Sequence, residues 1–393
     1  MELDLVSPTR GTVLRTPVVW FMAVAAGVGT ASMYPLQPAV AGVAGALRVS
    51  VAAVGVALAC GPIGYLVGLA LLVPLVDRVA PRAVVSAQFG VLAGALACTA
   101  LLGSVWSLGV VVGVIGAASS VGAQLSSLAG RFAPPGRRAT VLGIVTAGIS
   151  AGILAGRIVG GWLADALGWR GMLLVFAAAC LVIAGAARVV LPVAQPTVAT
   201  GYLASLRGMP VLFRRYPVLR SAAGRGSLWF FAFCAIWAGI AVALSQPPFS
   251  YSAERIGLYA CAGLLGILAT RVSGTWTGRV GARRVILAGL VLAAASAATL
   301  ALCLPNTALT LLCLGLFDAG LFAAQVANQS TVLAIDPAAP ARFNSAYMVV
   351  YFLGGSLGTA FGAAAVGWFG WAVAAVLAAV AILLAAALSL RTP

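Results

Sequence analysis

Long apolar stretches separated by short polar breaks run the length of the chain. An α-helix needs about 20 mainly apolar residues to cross a bilayer. Runs of that size, read between charges and Pro/Gly breaks, number twelve. They are 17–42, 50–74, 83–103, 107–130, 140–163 and 171–191, then 225–246, 256–276, 284–304, 308–333, 344–366 and 371–390, numbered spans 1 to 12. The pattern predicts an all-α integral membrane protein with twelve transmembrane helices in two pseudo-symmetric six-helix bundles. One connection, 192–224, is much longer than the rest. It opens with Pro192 and Pro196 and carries Tyr202, Leu203, Leu206, Arg207, Leu212, Phe213, Arg214, Arg215 and Arg220, an amphipathic pattern suited to a membrane interface. The expected organisation is therefore a bundle over 1–191, a cytoplasmic linker over 192–224 and a second bundle over 225–393.

Composition sharpens this. Of 393 residues, 63% are apolar and only 8% charged, with a mean hydropathy of +1.12. A soluble domain carries about 25% charged residues, so this surface is built for lipid. The 47 glycines suit helices that approach each other closely there. All 23 basic residues are Arg, with no Lys and no His. Bis-His haem, zinc-dependent intramembrane proteolysis and His-dependent acyl transfer are thereby excluded, and so is a lysine Schiff base. The seven cysteines (Cys60, Cys98, Cys180, Cys234, Cys261, Cys303, Cys313) lie in apolar runs without a CxxC pair, so they behave as small hydrophobes. With no nucleophile–base pair either, the expectation is a non-enzymatic protein without metal or cofactor.

A net charge of +16 would suit nucleic acid, but its placement argues for topology. With the N-terminus inside, the tails and even-numbered connections hold Arg10, Arg15, Arg78, Arg82, Arg131, Arg137, Arg138, Arg188, Arg207, Arg214, Arg215, Arg220, Arg225, Arg279, Arg283, Arg284, Arg342 and Arg391. The outer connections hold only Arg48, Arg170 and Arg255, while Arg157 and Arg271 fall within spans. That asymmetry predicts both termini in the cytoplasm of a bacterial inner membrane. Residues 1–16 show no small-residue cleavage pattern and are expected to be a cytoplasmic tail before a retained first span.

The halves repeat. Asp77-Arg78 and Arg82 after span 2 are echoed by Gly278-Arg279 and Arg283 after span 8; Gly168-Trp169 before span 6 is echoed by Gly370-Trp371 before span 12. Parallel six-helix repeats are a transporter architecture. Three stretches carry a more specific likeness. The first is Pro74-Leu75-Val76-Asp77-Arg78-Val79-Ala80-Pro81-Arg82, with Val73 and Ala80 where the family signature has Gly. The second, in span 5, is Gly143, Gly152, Gly156, Arg157, Gly160 and Gly161, which follows the antiporter spacing with Arg157 in place of Pro. The third runs from Gln325-Val326-Ala327-Asn328-Gln329 through Arg342-Phe343-Asn344-Ser345-Ala346-Tyr347 to Tyr351-Phe352-Leu353-Gly354-Gly355, and is similar to a bacterial group of efflux permeases. Over essentially its whole length the chain resembles the major facilitator superfamily, in particular its 12-helix drug:proton antiporters.

That resemblance implies roles. Asp77, Arg78, Arg82, Arg279 and Arg283 would form a charged latch between the halves; the alternative is a cytoplasmic turn with topogenic arginines. Gly148, Gly152, Gly156 and Gly160 recur every four residues, as do Gly354, Gly358 and Gly362 in span 11, so each set forms a bare stripe on one helix face. In the family such stripes occlude one end of the cavity, and they raise export over import; the alternative is ordinary small-residue packing.

Among the seven acidic residues only Asp318 lies deep in a span, about 15 Å from the outer face at 1.5 Å per residue. An ionisable group there costs at least about 2.5–3.5 kcal/mol and needs a reason. With no His present, Asp318 is the natural proton carrier, and Arg157 on span 5 is its candidate partner; a permanent structural ion pair is the alternative. In the family spans 1, 4, 7 and 10 line the cavity. The lining expected here is Tyr34, Gln37, Ser119, Ser120, Gln124, Trp229, Phe230, Phe233, Trp237, Gln325, Asn328, Gln329, Tyr347 and Tyr351. The aromatic stripe at 229, 230, 233 and 237 suits flat or cationic hydrophobic molecules, unless it faces lipid. Pro35 and Pro38 mark a break in span 1. The expected function is proton-coupled efflux of amphipathic or cationic small molecules by a monomer in the lipid bilayer. Alternatives are a facilitator or symporter for a polar metabolite such as a sugar or amino-acid derivative, and a membrane scaffold or sensor.

Overall fold

The computed structural model describes residues 15–192, 209–336 and 340–391. Expectations for Arg10, Arg207 and most of the linker lie outside the described residues. The first half contains α1 (Thr16–Ala31), α2 (Val40–Leu47), α3 (Val51–Leu58), α4 (Cys60–Leu71), α5 (Pro81–Leu101), α6 (Val105–Ser119), α7 (Val121–Phe132) and α8 (Arg138–Val190). The second contains α9 (Met209–Arg215), α10 (Pro217–Ser245), α11 (Ala253–Leu258), α12 (Gly263–Val280), α13 (Ala282–Cys303), α14 (Thr307–Leu333) and α15 (Pro340–Arg391).

Among the described residues nine helical stretches are long and apolar enough to cross a bilayer. Two of them, of 51 and 49 residues, would reach about 75 Å if straight, more than twice the hydrocarbon thickness. Each instead breaks at a glycine with positive φ, Gly168 (72°) and Gly370 (81°), a conformation an L side chain would strain. The chain reverses there. Residues 148–160 run parallel to α1, whereas Arg170 Nε donates to the Ala100 carbonyl and Ser86 Oγ to the Ala184 carbonyl, so residues after Gly168 run antiparallel to α5. The long pair α8 and α15 thus supplies two crossings each. Helices α1 and α2, interrupted over 32–39 where Pro35 and Pro38 cannot donate to the helical ladder, supply the twelfth.

Each half has its own apolar core. One gathers buried side chains from Val19 to Leu191, the other from Leu212 to Ala386. The surface carries large apolar side chains throughout, such as Leu101, Val110, Val182 and Leu302, which only lipid would solvate.

Within each half, bare glycine edges bring parallel helices into backbone contact. A Cβ on Gly148, Gly152 or Gly156 would strike the carbonyl of Ala23, Gly27 or Ala31, and one on Gly160 would strike Pro35. The second half repeats this: Gly354, Gly358 and Gly362 lie on the carbonyls of Ser227, Phe231 and Ala235. Gly143, by contrast, faces open space.

Span 7 begins at Pro217 rather than at 225. Pro at the first helical turn lacks only an N–H that would be unpaired anyway, and Leu219, Ala222 and Ala223 pack into the second core. Arg225, expected in the connection, therefore lies inside this helix and is buried; its Nε and Nη2 donate to Asn328 Oδ1 at 3.1 and 2.9 Å.

The halves meet at the end of the molecule where Gly168 and Gly370 lie, opposite to the end holding Arg15 and Arg391. There Gly161 packs on Ala253, and Gly257 on Arg157 and Ile158. The Asp165 carboxylate accepts hydrogen bonds from the Ala253 and Glu254 N–H groups at 3.1 and 2.9 Å. On the other flank Gly55 meets Ala363, and Ser356 Oγ donates to the Ala59 carbonyl, at the break between α3 and α4. Toward the terminal end, spans 5 and 8 part around a cleft of about 1080 Å³ lined by residues such as Trp20, Gly143, Ala147, Ile267 and Arg271.

Candidate functional site

A cavity of about 190 Å³ lies between the halves, and the breaks in the helices build it. The interruption of span 1 turns Tyr34 and Gln37 inward. Span 5 adds Arg157, span 4 Ser119, and span 7 the aromatic stripe Trp229, Phe230, Phe233 and Trp237. That stripe is buried against the cavity: Trp229, Phe233 and Trp237 are 2, 8 and 5% exposed. Tyr351 and Phe352 come from span 11, with Phe230 stacked on Tyr351 at 4.0 Å between centroids. Tyr65 of span 2 meets Phe352 at 4.9 Å, a ring contact that joins the two halves.

The charges sit on one wall. Arg157 Nε donates to Gln37 Oε1 at 2.8 Å, and its guanidinium carbon stands 4.6 Å from the Tyr34 ring centre and 4.7 Å from that of Trp237. Cation–π contacts of this kind are worth about 2 kcal/mol when desolvated. On the same indole, Nε1 donates to Asp318 Oδ1 at 3.1 Å. Arg157 and Asp318 therefore share Trp237 and make no direct ion pair among the described residues. A smaller space of about 50 Å³, lined by Arg157, Asp318, Trp237, Ser150 and Thr270, adjoins the cavity and gives access to the carboxylate.

Several expected lining residues lie elsewhere. Gln124 is fully buried between spans 2 and 4, donating to the Leu72 carbonyl at 2.6 Å. Ser120 accepts from Gln88 in the same layer. Gln325, Asn328 and Tyr347 form a separate buried network: Tyr347 Oη donates to Gln325 Oε1 at 2.6 Å, and Asn328 Nδ2 donates to the Ala222 carbonyl at 2.9 Å. Gln329 pairs with Asn344. These polar side chains serve Arg225 and helix packing because they lie on the flank of span 10 that meets spans 7 and 11.

Of the expected latch, Asp77 ends a 3₁₀ turn, Val73–Asp77. Arg78, Arg82, Arg279 and Arg283 are exposed, and Arg283 Nη2 donates to the Leu390 carbonyl within the second half. None of these four bonds across the halves among the described residues. Sequence reasoning missed Tyr65, Phe352, Arg225 and Asp165. Pro217 as a helix start would have enclosed Arg225, and Phe352 adjoins the expected Tyr351; nothing local marked Tyr65 or Asp165.

Two repeated helical bundles around a central cavity, with the buried Asp318 carboxylate in the small space adjoining it, define a secondary transporter architecture. Comparison with known proteins agrees. The Major Facilitator Superfamily matches residues 19–268, and the chain belongs to that family. It is 30% identical over 361 residues to the "Uncharacterized transporter YgaY" of Escherichia coli O157:H7, covering 91% of each chain. It is 31% identical over 353 residues to the "Probable transporter SCO4007" of Streptomyces coelicolor, covering 89% of this chain and 81% of that one. In fold it is similar to a bacterial homolog of the human lysosomal transporter Spinster (TM-score 0.76, 15% identity, 95 and 96% of the two chains). It is likewise similar to the nucleoside transporter NupG (TM-score 0.74, 15% identity, 96 and 100%). The protein is a multi-pass membrane transporter of twelve helices in two bundles.

Proposed function

We propose that this chain moves an amphipathic small molecule across a bacterial plasma membrane by alternating access, with protons carried by Asp318 as the driving force. The terminal end, rich in arginine, is the cytoplasmic one. The observation that carries the reading is the lone deep carboxylate, 2% exposed, held by Trp237 at the wall of an aromatic cavity between the halves. Protonation and release of this group would be felt by the Arg157 charge on the other side of the same indole. One proton moving down about 100 mV releases about 2.3 kcal/mol, and a unit of pH adds about 1.4 kcal/mol. Together these support a substrate gradient of about a few hundredfold. Export was expected from the glycine spacing of span 5. Span 11 carries the same stripe in the same contact with its neighbour, so packing accounts for the spacing, and direction rests on how proton and substrate are linked.

The test uses purified protein in proteoliposomes with an imposed pH gradient and amphipathic dyes of each charge sign, for wild type and Asp318→Asn. Gradient-driven movement lost in the variant supports the reading. Equal movement in both removes Asp318 as carrier; no movement of any dye removes amphipathic transport itself.

A further inference from the structure

Arg157 is the one charged residue among the described residues that line the central cavity. It is 5% exposed. Its Nε is taken by Gln37 and its faces by Tyr34 and Trp237. Its two Nη nitrogens make no hydrogen bond to protein among the described residues. A buried cation with unused donors is costly, and the guanidinium fork matches the paired oxygens of a carboxylate or similar oxyanion. Asp318 does not supply those oxygens: the two make no ion pair among the described residues, and Asp318 Oδ1 accepts from Trp237. Aromatic rings form much of the remaining wall, and the volume of about 190 Å³ falls below the usual range of about 300–1,000 Å³ for drug-sized pockets.

We infer that the cavity binds a small aromatic organic anion, one or two rings in size, its oxyanion head on the Arg157 Nη atoms and its ring among Trp229, Phe230 and Tyr351. This rests on the reading of the cavity as the transport site and names its substrate class. It also sets the sign of coupling. The charged group facing Asp318 is Arg157 from span 5, which shares the smaller space with it; Tyr34 from span 1 and Cys234 from span 7 line the adjoining cavity on the Arg157 side, and span 8 presents Gly263 and Thr270 to Asp318, with Arg271 farther out in the wide cleft. An ionised Asp318 offsets the Arg157 charge, and a protonated one leaves it uncompensated. Proton and anion therefore favour each other's binding and travel in the same direction, and by linkage the effect is reciprocal.

The test is calorimetric titration of the full-length protein in detergent with 2-naphthoate, the neutral 2-naphthamide and the cationic 2-naphthylmethylammonium. Naphthoate should bind at least about tenfold tighter than the other two, the worth of a single charge-assisted hydrogen bond. Arg157→Gln should abolish that margin and Arg157→Lys retain part of it. Wild type should bind naphthoate more tightly as pH falls, and Asp318→Asn should bind it without pH dependence. Equal or tighter binding of the cation overturns the inference, and so does an undiminished margin in Arg157→Gln. If Arg157→Gln does not fold, the charge comparison on wild type and the Asp318→Asn titration decide. Charge-selective naphthoate binding without gradient-driven naphthoate flux would leave the site standing and remove the transport reading. Asp318-dependent flux of a cationic dye without naphthoate binding would do the reverse.

Discussion

The contact between spans 7 and 11 allows a sharp test, because one substitution made at two glycines should have opposite effects. A Cβ on Gly358 would strike the Phe231 carbonyl oxygen and lie 2.7 Å from both its carbonyl carbon and its Cα, where ordinary contact begins at 3.4 Å. The helices would have to separate by about 0.7 Å or more there. Gly354 on Ser227 and Gly362 on Ala235 hold the turns on either side, so tilting offers little relief. Overpacking of this kind costs about 1–3 kcal/mol. Exchanging Gly for Ala within a helix returns up to about 1 kcal/mol, which leaves Gly358→Ala destabilised by about 0.5–2 kcal/mol. Gly94, in α5, has no neighbour within 4 Å of an added Cβ. Gly94→Ala should therefore gain only the helical term and stabilise by up to about 1 kcal/mol. Thermal unfolding followed by tryptophan fluorescence in detergent measures both. Midpoints that shift equally, or a Gly358→Ala protein as stable as wild type, would refute the close-contact argument.

Two further outcomes follow from other parts of the molecule. Asp165→Ala removes the acceptor of the Ala253 and Glu254 N–H groups, a capping loss of about 0.5–2 kcal/mol; hydrogen exchange of those two amides should accelerate about two- to thirtyfold, and unchanged exchange would exclude the carboxylate as a clasp between the halves. Asn328→Leu takes away the neutral acceptor of two Arg225 donors in a buried setting and should cost about 1.5–3 kcal/mol, measured as a lower unfolding midpoint; a smaller cost than that of Gln329→Leu, whose partner Asn344 is only half-buried, would show that the Arg225 network is not stabilising.

The parts of this protein that were legible in the sequence are those that depend on the contrast between lipid and water. Apolar run lengths marked the twelve crossings, and Pro35 with Pro38 marked the break that presents Tyr34 and Gln37. Asp318 stood out because a carboxylate in a span is expensive. Glycine spacing marked close contact, since a missing Cβ permits backbone approach whatever the surroundings. The function the spacing suggested was another matter, because the same stripe serves both halves.

Which way each helix turns about its axis was not legible. Lipid and protein interior are equally apolar, so the periodicity that reveals the buried face of a helix in a soluble protein is weak here. Polar residues on span 10 consequently looked interchangeable. Asp318 faces the small space beside the cavity, whereas Gln325 and Asn328, about two and three turns on, serve Tyr347 and Arg225. Chain composition and local pattern alone determined that this is a helical membrane protein of two repeated halves with one deep acid. Only the packing of those halves decided that Arg157 and Asp318 share Trp237 rather than each other, because that arrangement depends on helix rotations set by contacts between residues far apart in sequence, such as Arg157 with Gln37 and Trp237 with Asp318.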